Sequence, residues 1–100
     1  RDRRLLSQDG LVVVCITLSS IDGALLTEPD IISRGFIYMK DNEDLINHSK
    51  QMVQTFIEKL SSDKLRDWPY IKNEIRHQLK EFLYAKTKRT PMILPMIIEI

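Results

Sequence analysis

Apolar positions along this chain change period twice, and those changes set the expected elements. From Leu11 to Leu18 the run Leu-Val-Val-Val-Cys-Ile-Thr-Leu is rich in β-branched residues and too short for a typical helix, so it predicts a strand. Ser19 to Gly23 supplies Ser, Asp and Gly, residues that turns favour, and implies a hairpin. The return segment runs from Ala24 to about Lys40, with a bulge or edge break expected at Glu28-Pro29-Asp30, because proline has no amide to give a ladder. The pattern then becomes helical. Leu45, Ile46, Ser49, Met52, Val53, Phe56, Ile57 and Leu60 fall on one face, with Asp41 or Asn42 as the cap and Glu43 and Asp44 at the positive end of the dipole. A second helix is expected from Asp67 as N-cap, with Pro69 in its first turn and a stripe of Trp68, Ile71, Ile75, Leu79, Phe82 and Leu83. Pro91 to Ile100 is apolar and β-prone again and predicts a closing strand.

The expected fold is therefore α+β: a three-stranded β-sheet with two α-helices on one face, in the order β-β-α-α-β. Residues 1–10 read as the end of a linker and 11–100 as a single domain. Two helices cover only one face of such a sheet, so the other should be polar in a free monomer. It is not. Val12, Val14, Ile16 and Leu18 point one way in the first strand, and Leu11, Val13 and Cys15 the other. In the last strand Met92, Leu94, Met96, Ile98 and Ile100 alternate with Ile93 and Ile97. An apolar face left open is a docking surface; the ordinary alternative is that the turns and the long second segment cover it.

Composition changes this picture little. At 100 residues, with 43% hydrophobic and 29% charged positions, the chain suits one modest soluble core. No apolar run is long enough to span a bilayer and no signal peptide is apparent, so no membrane partner and a cytoplasmic location are expected. The start at Arg1 suggests a piece of a longer protein. A lone cysteine, Cys15, excludes an internal disulfide framework. Net charge is +1, but residues 63–90 hold eight Lys or Arg against four acids, and Arg1, Arg3 and Arg4 add to the basic character. Any affinity for nucleic acid would come from a local patch.

Candidate chemistry is sparse. His48 and His77 lie on different helices without ligand spacing, Cys15 sits in mid-strand as a small hydrophobe, and no carboxylate pair or Gly-rich phosphate loop is present. No catalytic residue, metal site or cofactor is expected in this domain. One helix face offers more. Tyr70, His77 and Tyr84 recur every seven residues opposite the core stripe, with Lys80 beside them and Lys72 and Arg76 on the adjoining flank. Together with Lys88 and Arg89 they are candidate RNA or partner contacts, since rings interleaved with cations can stack bases and hold phosphates. A plain exposed surface or protein interface explains the same residues, and cations after a helix C-terminus complement its dipole without any ligand.

Three stretches resemble a known family: Arg1-Asp2-Arg3-Arg4-Leu5-Leu6-Ser7-Gln8-Asp9-Gly10, Ile31-Ile32-Ser33-Arg34-Gly35-Phe36, and Phe82-Leu83-Tyr84 running through Lys86-Thr87-Lys88-Arg89 to Pro91-Met92-Ile93-Leu94-Pro95. In this order they are similar to the C-terminal domain of bacterial ribonuclease J, of the metallo-β-lactamase and β-CASP nucleases. The resemblance implies a cytoplasmic parent that processes and degrades RNA as a 5′-3′ exonuclease and endonuclease with two zinc or other divalent ions. Those ions belong to catalytic domains whose motifs are not in this sequence. It also implies a C-terminal role in assembly, as a homodimer or a hetero-oligomer with a paralogue, with RNA handled by the full-length enzyme. Ser33, Arg34, Gly35 and Phe36 are then a structural motif. Gly35 is expected to permit a bulge or close backbone approach, and Arg34 to pair with Glu28, Asp30 or Glu99.

Overall fold

A computed structural model of the chain describes residues 9–36 and 42–100. Strand β1 (Leu11–Leu18) is central, β2 (Asp30–Arg34) runs antiparallel on one side and β3 (Met92–Glu99) parallel on the other, giving the order β2-β1-β3. Between β2 and β3 the chain forms α1 (Glu43–Glu58), a single turn α2 (Ser62–Leu65) and α3 (Trp68–Thr87). The α+β class and the strand-strand-helix-helix-strand sequence of the long elements are as expected.

Each helix starts where a side chain takes an orphan amide. Asn42 Oδ1 accepts from the Leu45 amide at 3.0 Å, Ser61 Oγ from Lys64 at 3.3 Å, and Asp67 Oδ1 from Tyr70 at 3.2 Å. Asp41, the other candidate cap, lies outside the described residues. Helix α3 ends on Lys88, which holds a left-handed φ of 61° while its amide donates to the Tyr84 carbonyl. Turn α2 was not foreseen: four residues held by Ser61 are too short to show a helical period.

The core lies between the helices and one sheet face. Val12, Val14, Ile16 and Leu18 of β1 and Ile71, Ile75, Leu79 and Leu83 of α3 are all buried, and Val53 and Ile57 of α1 and Ile93 of β3 join them. These are the stripes the 3.6 and 2.0 periods place on one side. Ser49 sits among them at no cost in lost bonding, because its hydroxyl donates to the Leu45 carbonyl at 2.9 Å.

Strand β2 is much shorter than the Ala24–Lys40 segment expected to pair. Leu25 makes one isolated bridge to Leu18, the ladder resumes only after Pro29, and it ends at Arg34. The break therefore falls where proline removes a donor. Residues 37–41 of that segment lie outside the described residues.

The start of β1 is fastened to the far end of the chain. Asp9 Oδ2 accepts from the Thr90 amide at 2.9 Å and from its hydroxyl at 3.2 Å, and the Gly10 carbonyl accepts from Met92 at 2.9 Å. Two bonds to a partly buried carboxylate contribute about 2 kcal/mol. Asp9→Ala is expected to lower the urea midpoint by a corresponding amount, and Asp9→Asn to recover only part of it.

Candidate functional site

The pairing register shows what the sheet presents on the side away from the helices. Leu11 lies between Arg34 and Met92, Val13 between Ile32 and Leu94, Cys15 between Asp30 and Met96, and Thr17 beside Ile98. No described element covers this face. Ile32, Leu94, Met96 and Ile98 are 40–48% exposed, although their strand neighbours on the inner face are in the core. Eight apolar side chains thus form a contiguous patch with one acid and one arginine on its β2 border, which few monomers leave in water.

Strand β3 forms one margin of the sheet, and its free edge is interrupted. The amides of Met92 and Ile100 donate to the carbonyls of Gly10, just before β1, and Leu18, its last residue, so the even-numbered residues of β3 face β1 and the peptide groups of Ile93, Pro95 and Ile97 face outward. Pro95 offers no amide there. An added strand would lose its ladder in the middle of β3.

Arg34 departs from expectation. Its guanidinium reaches only the neighbouring Ser33 carbonyl, at 3.3 Å, and no carboxylate among the described residues pairs with it. Asp30 shares its face but stands four residues down an extended strand, about 13 Å away, and Glu28 lies instead 3.9 Å from Lys50. Arg34→Ala is accordingly expected to change the stability of the fold by less than about 0.5 kcal/mol, read as an unshifted melting curve. Gly35 and Gly10, by contrast, do come together: a Cβ built on Gly10 would sit 2.5 Å from the Arg34 carbonyl oxygen and the Gly35 carbonyl carbon. Phe36 is buried beneath them in the core cluster.

The rings of α3 do not make one platform. Tyr70 is half-buried, tilted against Phe56 of α1 at 6.3 Å between centroids, with Lys64 Nζ 4.3 Å from its ring centre. The turn α2, which no period revealed, brings that lysine across it. His77 is exposed and lies 3.5 Å from Glu81, and Tyr84 is half-exposed with Lys88 Nζ 5.2 Å from its ring centre. Lys72, Arg76 and Lys80 form a row at i, i+4 and i+8 on the adjoining flank, and Arg76 donates to Asn73 Oδ1 at 2.7 Å. Arg89 follows the left-handed Lys88, its amide donating to Thr87 Oγ1 at 3.1 Å.

Because Asp9 is bonded to Thr90, the point where the chain enters β1 lies next to the basic end of α3. Arg1, Arg3 and Arg4 themselves lie outside the described residues. A shallow groove between α1 and α3, about 650 Å³, also went unforeseen; Met52, Phe56, Phe82, His48, Lys59 and Lys86 are among its lining. Its signal was the width of the two stripes, whose flanking aromatics exceed what the core absorbs.

Among the described residues no group of three or more His, Cys, Asp or Glu side chains could hold a metal ion, and no helix is long and apolar enough to cross a membrane. His48 packs edge-on against Phe82 at 6.4 Å between centroids, whereas His77 lies beside Glu81. The two metal ions implied by resemblance thus have no fitting ligand set among the described residues.

Comparison with known proteins gives the chain its family. The family model described as "Ribonuclease J C-terminal domain" matches residues 1–100. Ribonuclease J2 of Bacillus subtilis is 43% identical over 100 residues, covering 100% of this chain and 18% of that protein. Ribonuclease J 2 of Staphylococcus aureus is 38% identical over the same length, again 100% of this chain and 18% of the relative. The chain therefore spans less than a fifth of these relatives, and it belongs to the ribonuclease J C-terminal domain family.

Proposed function

We propose that this chain is the assembly domain of a ribonuclease J-like enzyme of RNA processing and decay, and that its open sheet face packs against the same face of a second copy. The observation that carries this reading is the patch of Leu11, Val13, Cys15, Ile32, Met92, Leu94, Met96 and Ile98, with its polar border. Face-to-face packing of two sheets buries such a surface about 10 Å from its partner. Pro95 disfavours the alternative of pairing along the β3 edge.

A second copy suits the border as well as the centre. Asp30, Ile32 and Arg34 lie level with Cys15, Val13 and Leu11, and Met96, Leu94 and Met92 lie level with the same three residues on the other side. A two-fold axis crossing the strands at the Val13 row brings Asp30 toward Arg34 of the second copy, Met92 toward Met96, and Leu94 toward itself. The patch is self-complementary in charge, as an isologous interface requires.

RNA hydrolysis, exo- or endonucleolytic, belongs in this reading to metal-dependent β-lactamase and β-CASP domains of the longer cytoplasmic protein, and the present domain acts by placing them. The test is sedimentation velocity over a wide concentration series. A monomer-dimer equilibrium is expected, and a chain that stays monomeric at millimolar concentration overturns the proposal. Binding of a purified catalytic fragment instead of a second copy would reassign the face to an intramolecular contact.

A further inference from the structure

We infer that the flank of α3 facing the free edge of β3 is a track for single-stranded RNA, with Lys72, Arg76 and Lys80 as its phosphate contacts. The inference rests on the reading that this domain works within an RNA-degrading enzyme, and not on how copies assemble. The three cations stand at i, i+4 and i+8, so successive charges are about 6 Å apart along the helix, close to the spacing of phosphates in an extended strand. Like charges at that spacing repel one another, and nothing among the described residues relieves them. Glu74 and Glu81 lie round the helix, Glu81 beside His77. Arg76 is held by the neutral Asn73 Oδ1 at 2.7 Å, which orients the guanidinium without discharging it. Neither Lys72 nor Lys80 has an ionic partner among the described residues.

The row also borders a concavity. Arg76 and Lys80 share a groove of about 480 Å³ with Thr90, Pro91 and the Met92–Leu94 stretch of β3. One wall is cationic and the other is an apolar strand edge whose Ile93 peptide groups face outward with no partner strand among the described residues. A single strand of RNA has that same division, an anionic backbone and flat apolar bases with hydrogen-bonding rims. No carboxylate is among the residues lining this groove, and Asp9, at its Thr90 end, already accepts twice from Thr90. An acidic peptide adding to the edge fits less well, because Pro95, two residues beyond Ile93, ends the ladder such a peptide would need.

Fluorescence anisotropy of a short labelled oligouridylate with the 100-residue chain tests the track. Binding should weaken with salt, and the triple variant Lys72→Ala, Arg76→Ala, Lys80→Ala should lose roughly tenfold or more in affinity. Its slope of log K against log salt should flatten by about 2, since each single-strand phosphate contact contributes roughly 0.7. The control Lys59→Ala, Lys64→Ala, Lys86→Ala removes equal charge elsewhere and should bind as the parent chain does. Equal loss in the control overturns the track in favour of diffuse attraction, and displacement of the RNA by polyglutamate at comparable concentration overturns it in favour of a protein partner. Failure of the parent chain to bind removes RNA contact altogether, whereas binding that survives the triple substitution removes only this location. Sedimentation of the same variants should match the parent, because none of the three residues lies on the open sheet face.

Discussion

Gly10→Ala is expected to destabilise the domain by about 3 kcal/mol or more, a large part of the 5–15 kcal/mol that holds a typical domain together. Gly10 has φ +87°, a conformation that costs an L-residue about 1–2 kcal/mol. That is the smaller contribution. The added Cβ would lie 2.5 Å from the Arg34 carbonyl oxygen, 2.5 Å from the Gly35 carbonyl carbon and 2.7 Å from the Gly35 oxygen, all of them backbone atoms that no rotamer change can move aside. The displacement would spread, because Gly10 stands where all three strands meet. Leu11 pairs with Arg34 and with Met92, and the Gly10 carbonyl itself accepts from Met92. Gly35→Ala provides the comparison. Its φ is +72°, but its Cβ would meet only the Gly10 Cα at 3.5 Å, an ordinary contact, so about 1 kcal/mol is expected. Urea denaturation of both variants decides the matter: a Gly10→Ala midpoint equal to that of Gly35→Ala would mean that the close approach does not constrain the fold.

That contrast also shows what sequence can reveal about such a chain. Strand β1 was legible because Leu11–Leu18 is rich in β-branched residues and too short for a typical helix, and the two long helices because their apolar positions recur at three and four with a capping side chain ahead of each. The two-faced apolar character of β1 and β3, which defines the candidate site, needs only the period of two. Contacts made across the chain were not legible. Nothing local joins Asp9 to Thr90, 81 residues apart, or brings Gly35 against Gly10. Arg34 illustrates the same limit from the other side: three carboxylates were within plausible sequence reach, yet an extended strand keeps Asp30 too distant and Glu28 lies by Lys50. Tyr70 shares a helix face with His77 and Tyr84 by spacing alone, but Phe56 and Lys64 claim its ring. Periodicity assigns a residue to a face; what stands opposite that face depends on elements packed from elsewhere.

The second large effect is expected at Leu94. Leu94→Glu should weaken association of copies by 100-fold or more while leaving the monomer folded. Leu94 is 43% exposed in the isolated domain, so a carboxylate there remains solvated and costs the fold little. In the two-fold arrangement each copy brings Leu94 toward its counterpart, so one substitution sets two like charges face to face in a surface that water should leave. Desolvating even one unpaired charge costs several kcal/mol, and about 2.7 kcal/mol already corresponds to 100-fold. A polar substitution on a sticky face would weaken almost any partner, so the border residues carry the sharper test. Asp30→Arg should weaken association by placing cation against cation, and so should Arg34→Asp by placing acid against acid. The double variant exchanges the two charges within each copy and restores opposite signs across the two-fold axis, so it should recover most of the lost affinity. Recovery requires that the surface opposite Asp30 contain the same chain's Arg34. If sedimentation shows the double variant as impaired as either single one, the face binds something other than its own copy.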